Sequence, residues 1–257
     1  MYLVAIKSFY PHIGFGDIMV VNDGTLTDHD KELLAYHCNG IEIRDASSVD
    51  VGECPGYIAW RGLKTIIEES QQRYVVKLDS DVVVLDELPE IQDSIARNRS
   101  FVLGSFDCQE IWSGEQASDY ADKIDSGHVQ IMVERAFRHF PDVANLRYIR
   151  GCSGFAGIER GLYRWQDIEA FCREVEKHVD RDLFRSWGSE QVTVNYHVAN
   201  STDPLVLRWP RYTNHRDDID IADAALIHFL GSWRFLGGRY VKSARQAVAD
   251  LVARGNR

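Results

Sequence analysis

One apolar stretch interrupted by two acidic residues constrains this chain more than any other feature. Residues 74–84 read YVVKLDSDVVV, so apolar runs flank Asp79 and Asp81 on both sides. Short apolar runs of this kind predict buried strands. In an extended chain, residues i and i+2 point to the same side. Asp79 and Asp81 are therefore expected to project together from the end of a core strand.

Two carboxylates on one side of a strand end are suited to binding a hard divalent cation. Mg²⁺ and Mn²⁺ prefer oxygen ligands, and they keep coordination positions open for the phosphate oxygens of a substrate. An Asp-x-Asp triplet can also be a solvated turn, but the apolar flanks place this one at the edge of a core. The pattern predicts a metal site at Asp79 and Asp81.

Short apolar runs alternate with helical patterns, which predicts an α/β protein with a mixed, mostly parallel sheet flanked by helices. Thr27, with Asp30 three residues later, is typical of a helix start. We predict helices at 28–37, 60–72, 88–98, 165–179 and 240–253. We predict strands at 17–21, 41–43, 74–78, 82–85, 101–103, 205–209 and 224–230. No repeat or long linker divides the sequence, so a single domain over residues 1–257 is expected.

The first ten residues fit two local structures. Residues 1–6 read MYLVAI and could form an opening strand. Leu3, Ile6, Phe9 and Tyr10 also fall on one face of a helix. We predict a helix from Leu3 to Tyr10.

The overall composition narrows the class of partner. The formal net charge of -10 argues against nucleic acid, which requires a basic face. No apolar run approaches the roughly 18 residues of a membrane-spanning helix. Five cysteines without a C-x-x-C pair predict reduced thiols and no zinc cluster. We expect a cytoplasmic protein, either free or bound at the inner face of a membrane.

Three further segments follow the acidic pair in order. Residues 152–157 read CSGFAG, residues 190–191 read EQ, and residues 228–234 read HFLGSWR. From Asp17 to the C-terminal region, the chain resembles the retaining GT-A glycosyltransferases related to glycogenin and to the bacterial galactosyltransferases of lipooligosaccharide synthesis. That family carries Asp-x-Asp, Asn-Ser-Gly, Asp-Gln and His-x-x-Gly-x-x-Lys. Here Cys152 replaces the Asn and Arg234 replaces the Lys.

The resemblance implies a GT-A fold, a Rossmann-like sheet flanked by helices, and transfer of a sugar from a nucleotide-diphosphate donor, with a UDP-sugar expected first. It implies that Asp79, Asp81 and His228 bind Mn²⁺ or Mg²⁺. Gly231 would let the backbone approach the donor phosphates. Arg234 would bind the donor phosphates through paired N–H groups of its guanidinium, whereas the lysine of the family offers a single ammonium charge.

The resemblance also implies roles for the two middle segments. Glu190 and Gln191 would lie near the anomeric carbon, and Ser153 and Gly154 would line the acceptor side. The acceptor could be a saccharide, a lipid-linked sugar or a protein. Structural alternatives remain for these segments: a strand entry at residues 153–154 and a helix-start carboxylate at Glu190. His228 could likewise be a core histidine.

Two basic residues precede the acidic strand. Arg61 and Lys64 lie one helical turn apart and could face the donor phosphates or the solvent. The family also has a first strand that helps to hold the nucleotide. With a helix at residues 3–10, the domain would lack that strand.

Two other functions use the same residues. A nucleotidyltransferase could use the metal site at Asp79 and Asp81, although no Gly-rich phosphate loop of the usual kind is present. An inactive protein could have kept the fold and still bind a nucleotide-sugar. The intact Asp79, Asp81 and His228 favour an enzyme.

Overall fold

The computed structural model describes residues 1–255. Its α-helices are α1 (Tyr2–Ile13), α2 (Asp28–His37), α3 (Ile58–Ser70), α4 (Pro89–Ala96), α5 (Gly114–Asp122), α6 (Val129–Ala136), α7 (Trp165–Val175), α8 (Arg181–Phe184), α9 (Ser189–Ala199) and α10 (Arg239–Ala253). Its strands are β1 (Met19–Asn22), β2 (Glu42–Asp45), β3 (Val75–Leu78), β4 (Val82–Val84), β5 (Phe101–Gly104), β6 (Trp112–Ser113), β7 (Arg147–Tyr148), β8 (Gly151–Ile158), β9 (Leu205–Leu207), β10 (Tyr212–Asn214) and β11 (Leu226–His228). Short 3₁₀ helices lie at Ala46–Ser48, Phe137–His139 and Gly231–Phe235.

The predicted α/β class is confirmed, and the strands divide among several sheets. The largest sheet has the order β3-β8-β5-β9, and a three-stranded sheet has the order β10-β11-β4. Two small pairs, β1-β2 and β6-β7, complete the set. The strand pairs β1/β2, β5/β9 and β10/β11 are parallel. Antiparallel pairs surround β8, which opposes both β3 and β5.

The central strand β8 is the element that the sequence patterns largely hide. Its eight residues are all buried. A strand covered on both faces shows no polar–apolar alternation, and its glycines and serine have low strand propensity. Ala156 and Ile158 pack in one hydrophobic cluster, whereas Cys152 and Phe155 pack in another. The strand therefore separates two parts of the core.

The predicted helix at the start of the chain is confirmed by α1. It packs against β4 and α10. The Ser8 hydroxyl accepts a hydrogen bond from the Val84 N–H at 3.1 Å, and this contact fixes the helix across that strand. The helix start at Thr27 is also confirmed, because Thr27 and Asp30 form a reciprocal capping box.

The five cysteines are all free and buried. Cys54 and Cys172 lie with their sulfur atoms 3.3 Å apart. Among residues 1–255, no helix is both long enough and apolar enough to cross a lipid bilayer.

Candidate metal centre

The acidic pair lies on the turn that connects the two main sheets. β3 belongs to the four-stranded sheet and β4 to the three-stranded sheet, so residues 79–81 cross between them. The Asp79 N–H donates to the Gly154 carbonyl at 2.9 Å, and the Phe229 N–H donates to the Asp81 carbonyl at 3.0 Å. Each acidic residue is thus fixed to a different sheet. The prediction that the pair lies at a strand end is confirmed, but β3, which Asp79 follows, is half-buried, and the fully buried strand is β4, which Asp81 precedes.

His228 brings the third predicted ligand to this turn. It ends β11, whose antiparallel register with β4 sets His228 opposite Val82. Its Nε2 lies 3.2 Å from Asp81 Oδ1 and 3.9 Å from Asp79 Oδ2. Ligand atoms of all three residues lie within 4.8 Å of one another. The three side chains therefore converge as predicted, and a divalent cation bound there could contact all of them.

The other ring nitrogen of His228 is held by two neighbours. Nδ1 lies 2.9 Å from the Asn214 Oδ1 and 3.3 Å from the Cys152 sulfur. With a metal bound, a proton on Nδ1 would be donated to Asn214, and the Nε2 lone pair would face the cation between the two carboxylates. Metal-bound histidines commonly have this arrangement. Two carboxylate oxygens and a neutral imidazole nitrogen form a donor set that fits Mn²⁺ or Mg²⁺.

The charges at this centre are strongly coupled. Burial by itself lowers the pKa of His228, but Cys152 and Asp81 outweigh burial and raise this pKa to about 10. Burial also works against a charged Asp81, yet bonds with His228 and attraction to Arg234 lower the pKa of Asp81 below its usual range. Without a metal, Asp81 therefore faces a protonated imidazole, and a divalent cation bound there would displace the proton from Nε2.

A glycine makes room for the histidine ring. An added Cβ at Gly154 would lie only 2.3 Å from His228 Cε1 and 2.6 Å from Nε2. Leu103 pairs with Cys152 and Val102 pairs with Ala156, so residues 153–155 have no partners in β5. Bulges of this kind re-aim the backbone next to functional sites. The bulge in β8 therefore positions Gly154 beneath the metal centre.

Arg234 is the second positive group at the centre. Its Nη1 lies 3.1 Å from Asp81 Oδ2, and its Nε donates to the Gly231 carbonyl at 2.7 Å. Gly231 has a φ of +58° and begins the 3₁₀ helix that carries Arg234, and no atom lies within 4 Å of a Cβ built on it. The predicted neighbourhood of Gly231, Arg234 and the acidic pair is therefore present, with open space at the glycine.

Lys77 joins the metal centre to Glu190. Its Nζ lies 3.2 Å from Asp79 Oδ1 and 3.4 Å from Glu190 Oε1, and donates to the Ser153 carbonyl at 2.6 Å. The Ser153 hydroxyl donates to Glu190 at 3.0 Å. Burial alone would lower the pKa of Lys77, but Asp79 and Glu190 raise it above its usual range. Lys77 was not predicted from the sequence, although it lies at the same strand parity as Asp79 and Asp81, and that parity is a signal that points to it.

Glu190 and Gln191 occupy the first turn of α9. Glu190 is buried, and its backbone N–H donates to the Tyr57 hydroxyl at 3.2 Å. Gln191 is half-buried and donates to the Gln130 side chain at 3.3 Å. Both structural alternatives from the sequence hold in part, because Glu190 does begin a helix and Ser153 does lie in a strand. Their side chains nevertheless form one network with Lys77, beside the acidic pair.

Arg61 and Lys64 make contacts of a different kind. Arg61 donates to the carbonyls of Ala46 and Gly56. Lys64 pairs with Glu68 and lies 5.2 Å from the ring centre of Trp165. Their charges are engaged in these structural contacts, and their role at the phosphates stays a prediction.

Asn214 belongs to no sequence motif, so no pattern in the sequence indicates that it contacts His228. Only the parallel register of β10 with β11, which sets Asn214 opposite His228, brings it to the ring.

A scan of protein-family models and a search of curated proteins both find no match to this chain. Inference about function therefore depends on the residues and geometry of this centre.

Proposed function

We propose that this chain is a metal-dependent glycosyltransferase that transfers a sugar from a nucleotide-diphosphate donor, with a GT-A arrangement of its sheet. The observation that carries the proposal is the convergence of Asp79, Asp81 and His228. Arg234 and the Lys77–Glu190 pair adjoin the same point. These residues come from separate segments of the chain, and the segments follow one another in the same order as the motifs of the family that the chain resembles.

The proposed metal site uses the three converging side chains. Asp79 and Asp81 supply carboxylate oxygens, and His228 supplies Nε2, with Asn214 holding the ring orientation. When bound, Mn²⁺ or Mg²⁺ would offset the charge that develops on the departing diphosphate. Arg234 adds a fixed guanidinium beside this point, and guanidinium groups bind phosphate oxygens with paired hydrogen bonds.

Glu190 is the group best placed to act on the sugar. In the transfer, the bond from the anomeric carbon to the phosphate oxygen breaks and a bond to an acceptor oxygen forms, while the proton of the acceptor hydroxyl passes to the departing phosphate oxygen. Such transition states have oxocarbenium character. A carboxylate beside the anomeric carbon stabilises the developing positive charge. Lys77 and Ser153 hold Glu190 in one position through their contacts with its Oε1.

The first experiment measures donor binding and donor breakdown. Thermal unfolding would be recorded with Mn²⁺ and a panel of UDP-glucose, UDP-galactose and UDP-N-acetylglucosamine. A ligand that binds only the folded state stabilises it by about 2.7 kcal/mol at a hundredfold excess over its Kd. We expect at least one donor to raise Tm only when Mn²⁺ is present, with slow release of UDP.

The variants Asp81→Asn and Asp93→Asn provide a matched pair. Asp81 lies in the metal centre, whereas Asp93 pairs with Arg97 on the exposed face of α4. Asp81→Asn should abolish the Mn²⁺-dependent shift, and Asp93→Asn should keep it. Release of pyrophosphate from a nucleoside triphosphate and a sugar phosphate would instead identify a nucleotidyltransferase. Donor binding without UDP release would identify a binding protein.

A further inference from the structure

The exposed Trp187, on the loop that leads into Glu190, contacts the half-buried Tyr57 at the start of α3. Trp187 is 70% exposed, and its ring centre lies 5.5 Å from that of Tyr57, with the planes inclined by 36°. Single exposed apolar side chains are common on folded surfaces, whereas contiguous apolar surface bordered by polar groups marks interaction sites; the contact of Trp187 with Tyr57 is therefore the relevant feature. The proposed metal, donor and catalytic roles leave this pair without a function.

The pair is rigidly joined to the proposed catalytic residue. The Tyr57 hydroxyl accepts the Glu190 N–H at 3.2 Å and lies 3.1 Å from the Ser189 hydroxyl. The buried Trp60 donates its indole N–H to the same serine oxygen at 3.0 Å. Contacts therefore run without a break from Trp187 through Tyr57 to Glu190.

The same chain of contacts extends to the metal centre. Glu190 pairs with Lys77, and Lys77 pairs with Asp79. A molecule resting on Trp187 would thus be linked to the metal ligands through Tyr57, Glu190 and Lys77. Under the proposed function, a second substrate bound there would be a neighbour of the residue that acts on the donor sugar.

Polar groups border the aromatic surface. His128 lies against the same loop, since a Cβ at Gly188 would be 3.1 Å from its Cε1. His128 is exposed, and its Nδ1 accepts the Gln130 N–H at 3.2 Å, so the neutral ring offers an Nε2–H donor. The half-buried amide of Gln191 lies one residue beyond Glu190. Groups that donate and accept hydrogen bonds thus lie near the apolar face of the indole ring.

We propose that Trp187 and Tyr57 bind a pyranose ring of a saccharide acceptor, and this rests on the proposed function. A pyranose has an apolar C–H face that can lie on an indole, and its hydroxyls leave the ring edge toward hydrogen-bonding groups. Trp and Tyr suit such ligands because each combines a broad apolar surface with a polar group. Trp187 supplies the stacking surface, and Gln191 and His128 meet the hydroxyls.

The local charge favours a neutral ligand over a cation. Aromatic rings also bind quaternary ammonium groups through cation–π attraction. The Glu190 side chain is buried, and its carboxylate contacts the Lys77 ammonium at 3.4 Å and the Ser153 hydroxyl at 3.0 Å. This carboxylate is therefore already paired with groups other than a ligand on Trp187, which disfavours a cation there. This distinction is open to direct measurement.

The test uses saturation-transfer NMR on the full chain with methyl α-D-glucopyranoside and methyl β-D-galactopyranoside as probes, and with glycerol and choline as controls. We expect transfer to the ring protons of at least one glycoside. Trp187→Ala should weaken that binding at least tenfold, and Trp187→Phe should weaken it less. The matched control is Tyr36→Ala, which removes an 83% exposed aromatic ring on α2 and should leave binding unchanged. Unfolding curves would verify that each variant is folded.

Each outcome bears on one claim. Equal glycoside binding by Trp187→Ala and the parent, binding of choline instead of glycosides, or no glycoside binding at all would overturn the aromatic site. Mn²⁺-dependent release of UDP from a donor is measured separately in the parent protein, and Tyr36→Ala should retain it within about twofold. If the parent protein releases UDP but binds no glycoside, the proposed function stands and the aromatic site is wrong. If the parent binds a glycoside, Trp187→Ala loses that binding, and the parent releases no UDP, the aromatic site stands and the proposed function is wrong.

Discussion

His228 occupies the space that a side chain at Gly154 would need. A Cβ built on Gly154 lies 2.3 Å from the Cε1 atom of the imidazole, well inside van der Waals contact. The ring cannot retreat freely, because Asn214 holds its Nδ1 and the ring is only 2% exposed. The absence of a side chain at Gly154 thus sets the position of the proposed metal ligand.

Gly154→Ala should therefore weaken metal binding. The added methyl group must push the His228 ring away from Asp81, and overpacking of a buried site costs about 1–3 kcal/mol. We expect Mn²⁺ affinity to fall at least tenfold and Tm to fall, as measured by calorimetric titration and thermal unfolding. Gly127→Ala is the matched control, because no atom lies within 4 Å of a Cβ there. Unchanged Mn²⁺ affinity in Gly154→Ala would contradict the shared site.

Lys77→Met should separate stability and catalysis from metal binding. The ammonium lies between Glu190, which is buried, and Asp79, which is partly exposed; removing one partner of a buried ion pair such as Lys77–Glu190 costs about 3–5 kcal/mol. Unfolding in urea should show a loss of this order. Mn²⁺ binding should not weaken, since Asp79 loses a competing cation, whereas product formation should fall at least tenfold because Glu190 loses its anchor.

The control for this variant is Lys123→Met, which alters an exposed lysine at the end of α5. It should change neither stability nor turnover. A Lys77→Met protein that kept full turnover would remove Lys77 from the positioning of Glu190.

Glu190→Gln and His228→Ala should fail in different ways. Glu190→Gln keeps the side-chain shape but removes the charge, so donor binding with Mn²⁺ should persist while transfer falls by a factor of about 100 or more. His228→Ala removes a metal ligand, so Mn²⁺ affinity and donor affinity should fall together. Donor titration in Mn²⁺ and product assays would compare the two. Full activity in Glu190→Gln would transfer the proposed role to Gln191.

His197 should make the protein less stable at mildly acidic pH. It is buried in α9, its Nδ1 lies 2.8 Å from the Thr193 carbonyl, and burial lowers the pKa of His197 to about 4. The unfolded chain binds this proton near its ordinary pKa of 6.5, so between pH 6.5 and 4 the unfolded state holds more protons. The free energy of unfolding should then fall with decreasing pH, by up to about 1.4 kcal/mol per pH unit.

Urea unfolding at several pH values would measure this dependence. His197→Gln should flatten the curve between pH 6.5 and 4, because the titrating group is gone. His29→Gln, at an exposed position on α2, should leave the slope unchanged. A slope that His197→Gln does not alter would assign the acid sensitivity to another group.

The sequence alone determined the features that depend on neighbouring residues. The apolar flanks of Asp79 and Asp81 fixed them at a strand end, and Thr27 with Asp30 fixed the start of α2. Helical periodicity placed α1 and α10 correctly to within a few residues. These features follow from local hydrogen bonding and from the periodic spacing of apolar side chains, and both depend on residues that are close together in the sequence.

Tertiary structure alone decided which distant residues meet. Asn214 reaches His228 only because β10 and β11 pair in register, and Lys77 meets Glu190 only because α9 begins next to the bulge of β8. The strand β8 was hidden because burial on both faces removes the alternation that marks a strand. Such contacts join residues that are far apart in sequence, and their register depends on the packing of the whole core. The ligand types were therefore readable from the sequence, whereas the groups that orient them were set by the fold.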